Sequence, residues 1–251
     1  MAERATVLEV DGVRRAFGGV RAVDGVSFAL ERGEIRALIG PNGAGKSTFF
    51  NILTGQLRAD AGRVRWRGRE IGGLPPHAIW RLGISRTFQI TATFATLTVL
   101  ENVQVARLSH TGRSRALLIP AARLEVALSR ALLAQVGLVE QAARPAAILA
   151  YGYLKKLELA IALANDPALL LLDEPTAGMA PGERGALMAL TARIARERGL
   201  TVLFTEHDMD VVFAVAERIM VLHQGRVIAD GTPAAVRADR EVQAVYLGEE
   251  P

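Results

Sequence analysis

Two periodicities alternate along the chain. Runs of β-branched and aliphatic residues at Val7–Val10, Val26–Leu30, Ile35–Ile39, Val64–Trp66, Leu169–Asp173, Val202–Thr205, Ile219–Leu222 and Val227–Ala229 predict strands. Between them apolar residues recur at helical spacing. Leu124, Leu128, Leu132 and Val136 step by four, and Leu154, Leu157 and Ile161 continue the pattern after Gly152. Strand signals are missing from about residue 98 to 165. The pattern therefore predicts an α/β core built from 1 to about 88 and from 166 to 251, with a mainly helical segment over about 89–165. His110 to Pro120 reads as a loop, and no internal repeat is visible.

Chemistry enters where the pattern changes from strand to helix. Gly40, Pro41, Asn42, Gly43, Ala44, Gly45, Lys46, Ser47 and Thr48 fit the pattern GxxxxGK[ST], between the strand IRALI and the helical KSTFFNIL. Its glycines let the backbone turn so that successive N–H groups face one anion, and the helix adds its positive end. Lys46 is placed to reach the β and γ phosphates of a nucleoside triphosphate, and Ser47 to ligate Mg²⁺. Further on, the apolar run Leu169–Leu172 ends in Asp173 and Glu174, as in a strand buried on both faces whose carboxyl end binds ligands. Side chains alternate along a strand, so the two acids point apart and divide the work. One holds the Mg²⁺ shell while the other orients and activates a water. Taken alone, such a strand end reads more readily as a solvated terminus; the phosphate loop upstream reverses that reading in favour of a site.

Composition narrows the setting. With 251 residues, 50% of them hydrophobic, the chain has room for one large core, which excludes disorder and fibrous repeats. No apolar run approaches the roughly 18–20 residues that cross a bilayer, and the N-terminus lacks the apolar stretch of an export signal, so the expected location is the cytoplasm. The absence of cysteine excludes disulfides, thiolate metal sites and cysteine nucleophiles. A net charge of +4 raises nucleic acid as a partner, but the bases are interleaved with acids instead of gathered in a stripe, which argues against it. Lysine occurs only at 46, 155 and 156; Lys155 and Lys156 read as a solvated helix face. His77, His110 and His223 have no metal-ligand spacing.

Four further segments narrow the identity. Ile148-Leu149-Ala150-Tyr151-Gly152-Tyr153 opens a helix upstream of the acidic strand, Gln89 follows the short strand ISRTF, Ala177-Gly178-Met179 follows the carboxylates, and His207 follows TVLFT. That order resembles the ATP-binding cassette (ABC) family of transporter ATPases across essentially the whole chain. The resemblance implies that Gly40 to Thr48 is the Walker A loop and Leu169–Asp173 Walker B. It makes Glu174 the catalytic base, His207 the switch histidine and Gln89 the Q-loop residue. Ser47, Gln89 and Asp173 would then serve Mg²⁺, and Phe17 would stack on adenine. Leu149 to Tyr153, with Ala150, Tyr151 and Gly152 at its centre, would be the signature segment that meets ATP on an opposite subunit. Here the chain departs from the family's usual LSGGQ: Ala150 stands where a serine hydroxyl approaches the γ-phosphate, a bond worth about 1.5–3 kcal/mol to a charged acceptor. TFQ with LTVLENV, the tyrosine form of the signature, DEPTAGMAP, EHDMD and VYLGEE resemble the branched-chain amino acid uptake subfamily. Urea and amide importers share these features, and the lipopolysaccharide-export ATPase shares some.

The resemblance implies an α/β fold, a P-loop NTPase core with a mixed or parallel sheet and an antiparallel part, plus a helical subdomain. It implies an ATPase with ATP and Mg²⁺ as cofactors, paired with a second cassette, identical or not, peripheral on the inner face of the cell membrane. Its further partners would be integral permease subunits and a periplasmic or extracellular solute-binding protein. Phe94, Leu97 and Leu100, in the stretch joining core to insertion, are candidates for the permease dock, with packing in the insertion's own core as the alternative. Cassette ATPases of translation or DNA repair usually carry two cassettes or a long coiled-coil insertion, neither visible here. A non-hydrolysing regulator is disfavoured by the presence of both Glu174 and His207.

Overall fold

The computed structural model describes residues 5–87, 93–111 and 124–247. Strands β1 (Thr6–Phe17) and β2 (Val20–Glu31) form a long hairpin, and β3 (Ile35–Ile39) leads into helix α1 (Lys46–Leu53). Next come β4 (Ala61–Trp66), β5 (Arg69–Glu70), α2 (Pro76–Arg81) and β6 (Ile84–Thr87). From Val99 to Leu163 the described elements are helices: α3 (Val99–Thr111), α4 (Val126–Val136) and α5 (Tyr151–Leu163). The chain then alternates through β7 (Leu169–Asp173), α6 (Pro181–Arg198), β8 (Thr201–Thr205), α7 (Met209–Val215) and β9 (Arg218–His223). It ends with β10 (Arg226–Gly231), α8 (Pro233–Ala238) and α9 (Arg240–Leu247).

The strands form two sheets. One is antiparallel, in the order β2-β1-β4-β5; the other runs β10-β9-β3-β8-β7-β6 and is parallel except for β10. Alternation along the central strands divides the core. Leu38, Leu169, Leu171, Leu203 and Met220 face a cluster with the antiparallel sheet and with Phe49 and Phe50 of α1. Ile39, Leu170, Leu172, Phe204 and Val221 face the opposite way, into a cluster with the helices. This is why β7 reads as an unbroken leucine run: both faces of the strand are covered, and each buried leucine contributes about 1.5–3 kcal/mol.

The helices depart from the simplest periodic reading. In α4 the buried positions are Ser129, Leu132, Leu133 and Val136, spaced i, i+3, i+4 and i+7, and Leu128 points outward. A step of exactly four overshoots a full turn by about 40°, so four such residues cannot share one narrow face. Helix α5 begins at Tyr151, within the segment Ile148 to Tyr153 expected to open it, and is buried on several sides. Lys155 is accordingly buried, not solvated, with its ammonium 3.2 Å from Glu158 Oε2. His110 and Thr111 extend α3 instead of opening a loop, and the rest of that predicted loop lies outside the described residues.

A buried guanidinium ties the helices to the strand that follows them. Arg107 on α3 donates to Ala164 O (2.9 Å) and Asp166 Oδ2 (2.8 Å), and its Nη2 lies 3.3 Å from the buried Glu125 carboxylate. Asp166 precedes β7, so this one side chain fixes α3 against the route into the acidic strand. Replacing Arg107 by Leu removes the cation facing a buried acid and should lower stability by about 3–5 kcal/mol. Urea unfolding of the variant checks this, and a loss under about 1 kcal/mol would show the tie to be dispensable.

Candidate active site

The loop after β3 is shaped by its neighbours before any ligand is considered. A Cβ built on Gly45 would overlap the carbonyl oxygen of Ala22 on β2, and one built on Gly40 would overlap that of Leu222 on β9. Gly45 also holds φ at 104°, a region closed to other L-residues without strain. Two strands thus press the loop from either side, and only glycine lets them approach. The loop opens on a cleft of about 190 Å³ lined by Asn42, Gly43, Gly45, Lys46, Ser47, Thr48 and, from across the sheet, Glu174.

Lys46 is the first residue of α1 and is almost fully buried. Its ammonium donates to Gly40 O (2.6 Å) and Pro41 O (3.1 Å), folding the side chain back over the loop. Burial holds its pKa below the ordinary lysine value, while the negative charges of Glu174 and Asp173 work in the other direction. Ser47 is exposed at the start of the same helix.

The acids arrive from β7, which neighbours β8 and lies one strand further from β3. Asp173 pairs in register with Thr205, and its Oδ1 accepts from the Thr205 hydroxyl at 2.9 Å. Its Oδ2 forms a 2.7 Å ion pair with Arg86, whose guanidinium also donates to Asn51 Oδ1 at 2.7 Å. Glu174 leaves the strand with φ at 49°, uncommon for a non-glycine residue, and its N–H donates to the Thr205 carbonyl (3.2 Å) and hydroxyl (3.0 Å). The turn sends its carboxylate away from Asp173 and towards His207: Oε1 lies 2.7 Å from His207 Nε2. His207 itself is about half exposed.

Lys46, Ser47, Glu174 and His207 thus meet at the carboxyl ends of adjacent strands, with Asp173 behind them. Other candidates stand apart. Phe17 sits exposed near the tip of the β1–β2 hairpin with the Arg15 guanidinium 4.9 Å from its ring centroid, and it does not line the phosphate cleft. Ala150 caps the start of α5 without a side-chain bond, and Tyr151 OH donates to Ala177 O at 2.9 Å. Ala150 and Gly152 line a different cleft, of about 460 Å³, with Met179, Glu183 and Leu187. No residue of that segment lines the phosphate cleft of its own chain. Gln89 and the end of the VYLGEE segment lie outside the described residues.

Arg86, Thr205 and Glu206 were not singled out by the sequence. Glu206 accepts from Thr176 N, Thr176 Oγ1 and His207 N. All three residues sit on or just past strands, where a linear pattern reads burial but not the partner across the sheet.

Comparison with known proteins adds two families. The ABC transporter family model matches residues 23–177, and a branched-chain amino acid ATP-binding cassette transporter model matches 226–251. The chain is 42% identical over 250 residues to the high-affinity branched-chain amino acid transport ATP-binding protein BraF of Pseudomonas aeruginosa, covering 97% of this chain and 98% of that one. It superposes with a TM-score of 0.87 on an ABC transporter cassette in its ADP conformation, at 31% identity, covering 98% of this chain and all of the other. A dimeric cassette in a post-hydrolysis state, bound to ADP and Pi, matches with a TM-score of 0.76 at 26% identity, covering 90% and 98% of the two chains.

The squeeze on Gly45 has a direct consequence. Gly45→Ala adds both a positive-φ penalty and an overlap with a strand carbonyl, so it should cost at least about 2 kcal/mol. Thermal and urea unfolding measure it, and a variant as stable as the parent would mean that β2 does not constrain the loop.

Proposed function

The chain belongs to the ABC transporter family, whose ATP-binding subunits hydrolyse ATP to energise transport, and on that premise we propose that it drives branched-chain amino acid import through separate permease subunits. It is an ATPase with the α/β architecture of that family. The observation that carries the site reading is the meeting of Lys46 and Glu174 in one cleft at the strand ends, with His207 held against Glu174 at 2.7 Å. Lys46 and the loop N–H groups bind the β and γ phosphates, exchanging the carbonyls of Gly40 and Pro41 for phosphate oxygens. Glu174 takes the proton of the attacking water, and His207, in contact with it, holds it towards the γ-phosphate. Gln89 completes the water and metal shell, and Phe17 stacks on the adenine.

Among the described residues no group of three or more His, Cys, Asp or Glu side chains stands ready to hold a metal alone. That donor set fits Mg²⁺ taken up with the nucleotide, since this ion keeps several waters and shares phosphate oxygens with one or two protein ligands. Ser47 and Asp173 would hold it, and it would neutralise charge developing on the phosphates.

Two features support pairing with a second cassette, identical or not. The signature segment lies away from its own phosphate cleft, and the exposed large apolar residues include Ile148, Tyr151 and Tyr153 around it and Phe17 and Val20 at the hairpin tip. In a head-to-tail pair Ala150, Tyr151 and Gly152 close over the partner's ATP, so ATP holds the pair shut and hydrolysis releases it. We read residues 89–165 as the helical subdomain and the remainder as the nucleotide core. No helix among the described residues is long and apolar enough to cross a membrane, so the permeation path belongs to partner subunits and this chain sits on the inner face of the membrane. A solute-binding protein outside the membrane would deliver the amino acid. Phe94 is 56% exposed, and a cleft of about 540 Å³ on the helical segment is lined by Leu100, Glu101, Gln104 and Arg130. Leu97 is half-buried and Leu100 packs on the core, which leaves Phe94 as the apolar residue offered to a permease.

Glu174→Gln keeps the side chain's size but cannot take a proton. Turnover should fall about 10²–10⁴-fold while ATP binding persists, and ATP should convert the variant from monomer to dimer in gel filtration. Parental turnover would assign the base elsewhere. In vesicles carrying the permeases, with binding protein added, ATP should drive uptake of leucine, isoleucine and valine. Phe94→Asp should abolish that uptake while leaving ATP affinity intact; normal uptake by the folded variant would refute the docking role.

A further inference from the structure

The loops after β7 and β8 each carry one member of the reactive pair, Glu174 and His207, and a buried carboxylate at the start of the second, Glu206, reaches across to the first. Glu206 is only 4% exposed. Its Oε1 accepts from Thr176 N at 2.9 Å and from the Thr176 hydroxyl at 2.6 Å, and its Oε2 accepts from His207 N at 3.2 Å. Thr176 is itself buried and stands two residues after Glu174. An ionised carboxylate has no donor, and here three donors converge on it from the two loops.

We propose that Glu206 is a positioning residue for ATP hydrolysis, which sets the separation of His207 and Glu174 by tying the loop after β7, through Thr176, to the backbone from which His207 directly follows. The proposal rests on the assignment of Glu174 and His207 above. The 2.7 Å contact between those two side chains spans the same pair of loops, and its partners have little else in common: one is half exposed and the other leaves β7 in a strained turn. Relaxation of the joint moves the imidazole relative to the carboxylate. The phosphate loop, borne by β3 and α1, is untouched, so binding of ATP and its turnover separate.

The side-chain chemistry allows the two ends of the joint to be cut one at a time. In Glu206→Gln the amide oxygen still accepts both Thr176 donors, but the amide NH₂ is set against the His207 N–H. Thr176→Val removes the hydroxyl bond and leaves the His207 end in place. With the full-length protein, kcat and KM for ATP, ATP affinity by titration, unfolding temperature and the imidazole NMR resonances of the four histidines are measured for both variants, with Glu174→Gln alongside. The expected result for Glu206→Gln is a kcat at least about tenfold lower, ATP affinity within about twofold of the parent, and a shifted His207 signal while His77, His110 and His223 hold. Thr176→Val should lower kcat by at least about threefold with the same unchanged affinity. Parental kcat in either folded variant, or ATP affinity falling in step with kcat, overturns the proposal. If Glu206→Gln does not fold, the Thr176→Val result decides in the same way. Should Glu174→Gln hydrolyse ATP at the parental rate, the failure lies in the assignment of the base and not in the joint.

Discussion

The phosphate loop is held by a steric constraint on its backbone. Carbonyls of β2 and β9 approach Gly45 and Gly40 so closely that no side chain fits, and this fixes the loop against both sheets at once. Because β2 belongs to the antiparallel sheet and β9 to the central one, the loop is one of the points at which the two are held to each other. Lys46 follows directly, with its ammonium folded onto the loop's own carbonyls. The cost of burying that charge is offset in part by its hydrogen bonds and by the two acids across the sheet, and burial still holds its pKa below the ordinary lysine value.

The groups assigned to nucleotide and Mg²⁺ have protein partners in this structure: Lys46 its two carbonyls, Asp173 the Arg86 guanidinium and Thr205 hydroxyl, Glu174 the His207 ring. Ligand binding at such a site is an exchange of partners. The net gain per bond is modest, about 0.5–1.5 kcal/mol for neutral groups and more for charged ones, because a satisfied group gains only the difference. Such a site favours a ligand that offers many charged acceptors together, as a triphosphate does.

The strand order places the reactive groups and also separates them from the signature segment. Phosphate loop and acids meet because β3, β8 and β7 are neighbours whose carboxyl ends point the same way. The start of α5 faces a different cleft, against α6, and leaves Tyr151 and Tyr153 partly exposed. In the proposed reading each of these two surfaces is half of a nucleotide site completed by a second molecule, and the apolar residues at both surfaces suit that association.

Much of this was legible in the sequence, for a physical reason. Strands buried on both faces must be apolar throughout, so β3, β7 and β8 announce themselves, and a loop that only glycine can adopt announces itself by its glycines. The loop and the acids could therefore be located along the chain, while the histidine was picked out by the family resemblance. Helical faces were less legible: Leu128 and Lys155 were misread because burial in α4 and α5 depends on which neighbours surround the helix, and a single period does not encode that. The partners of the acids were not legible at all. That Arg86 reaches Asp173, that Thr205 serves both acids, and that Glu206 holds Thr176 and His207 together depend on strand order and register. Apart from the bond between the adjacent Glu206 and His207, these contacts act over about 3 Å between residues 30 to 87 positions apart, and only the folded sheet brings such residues within that distance.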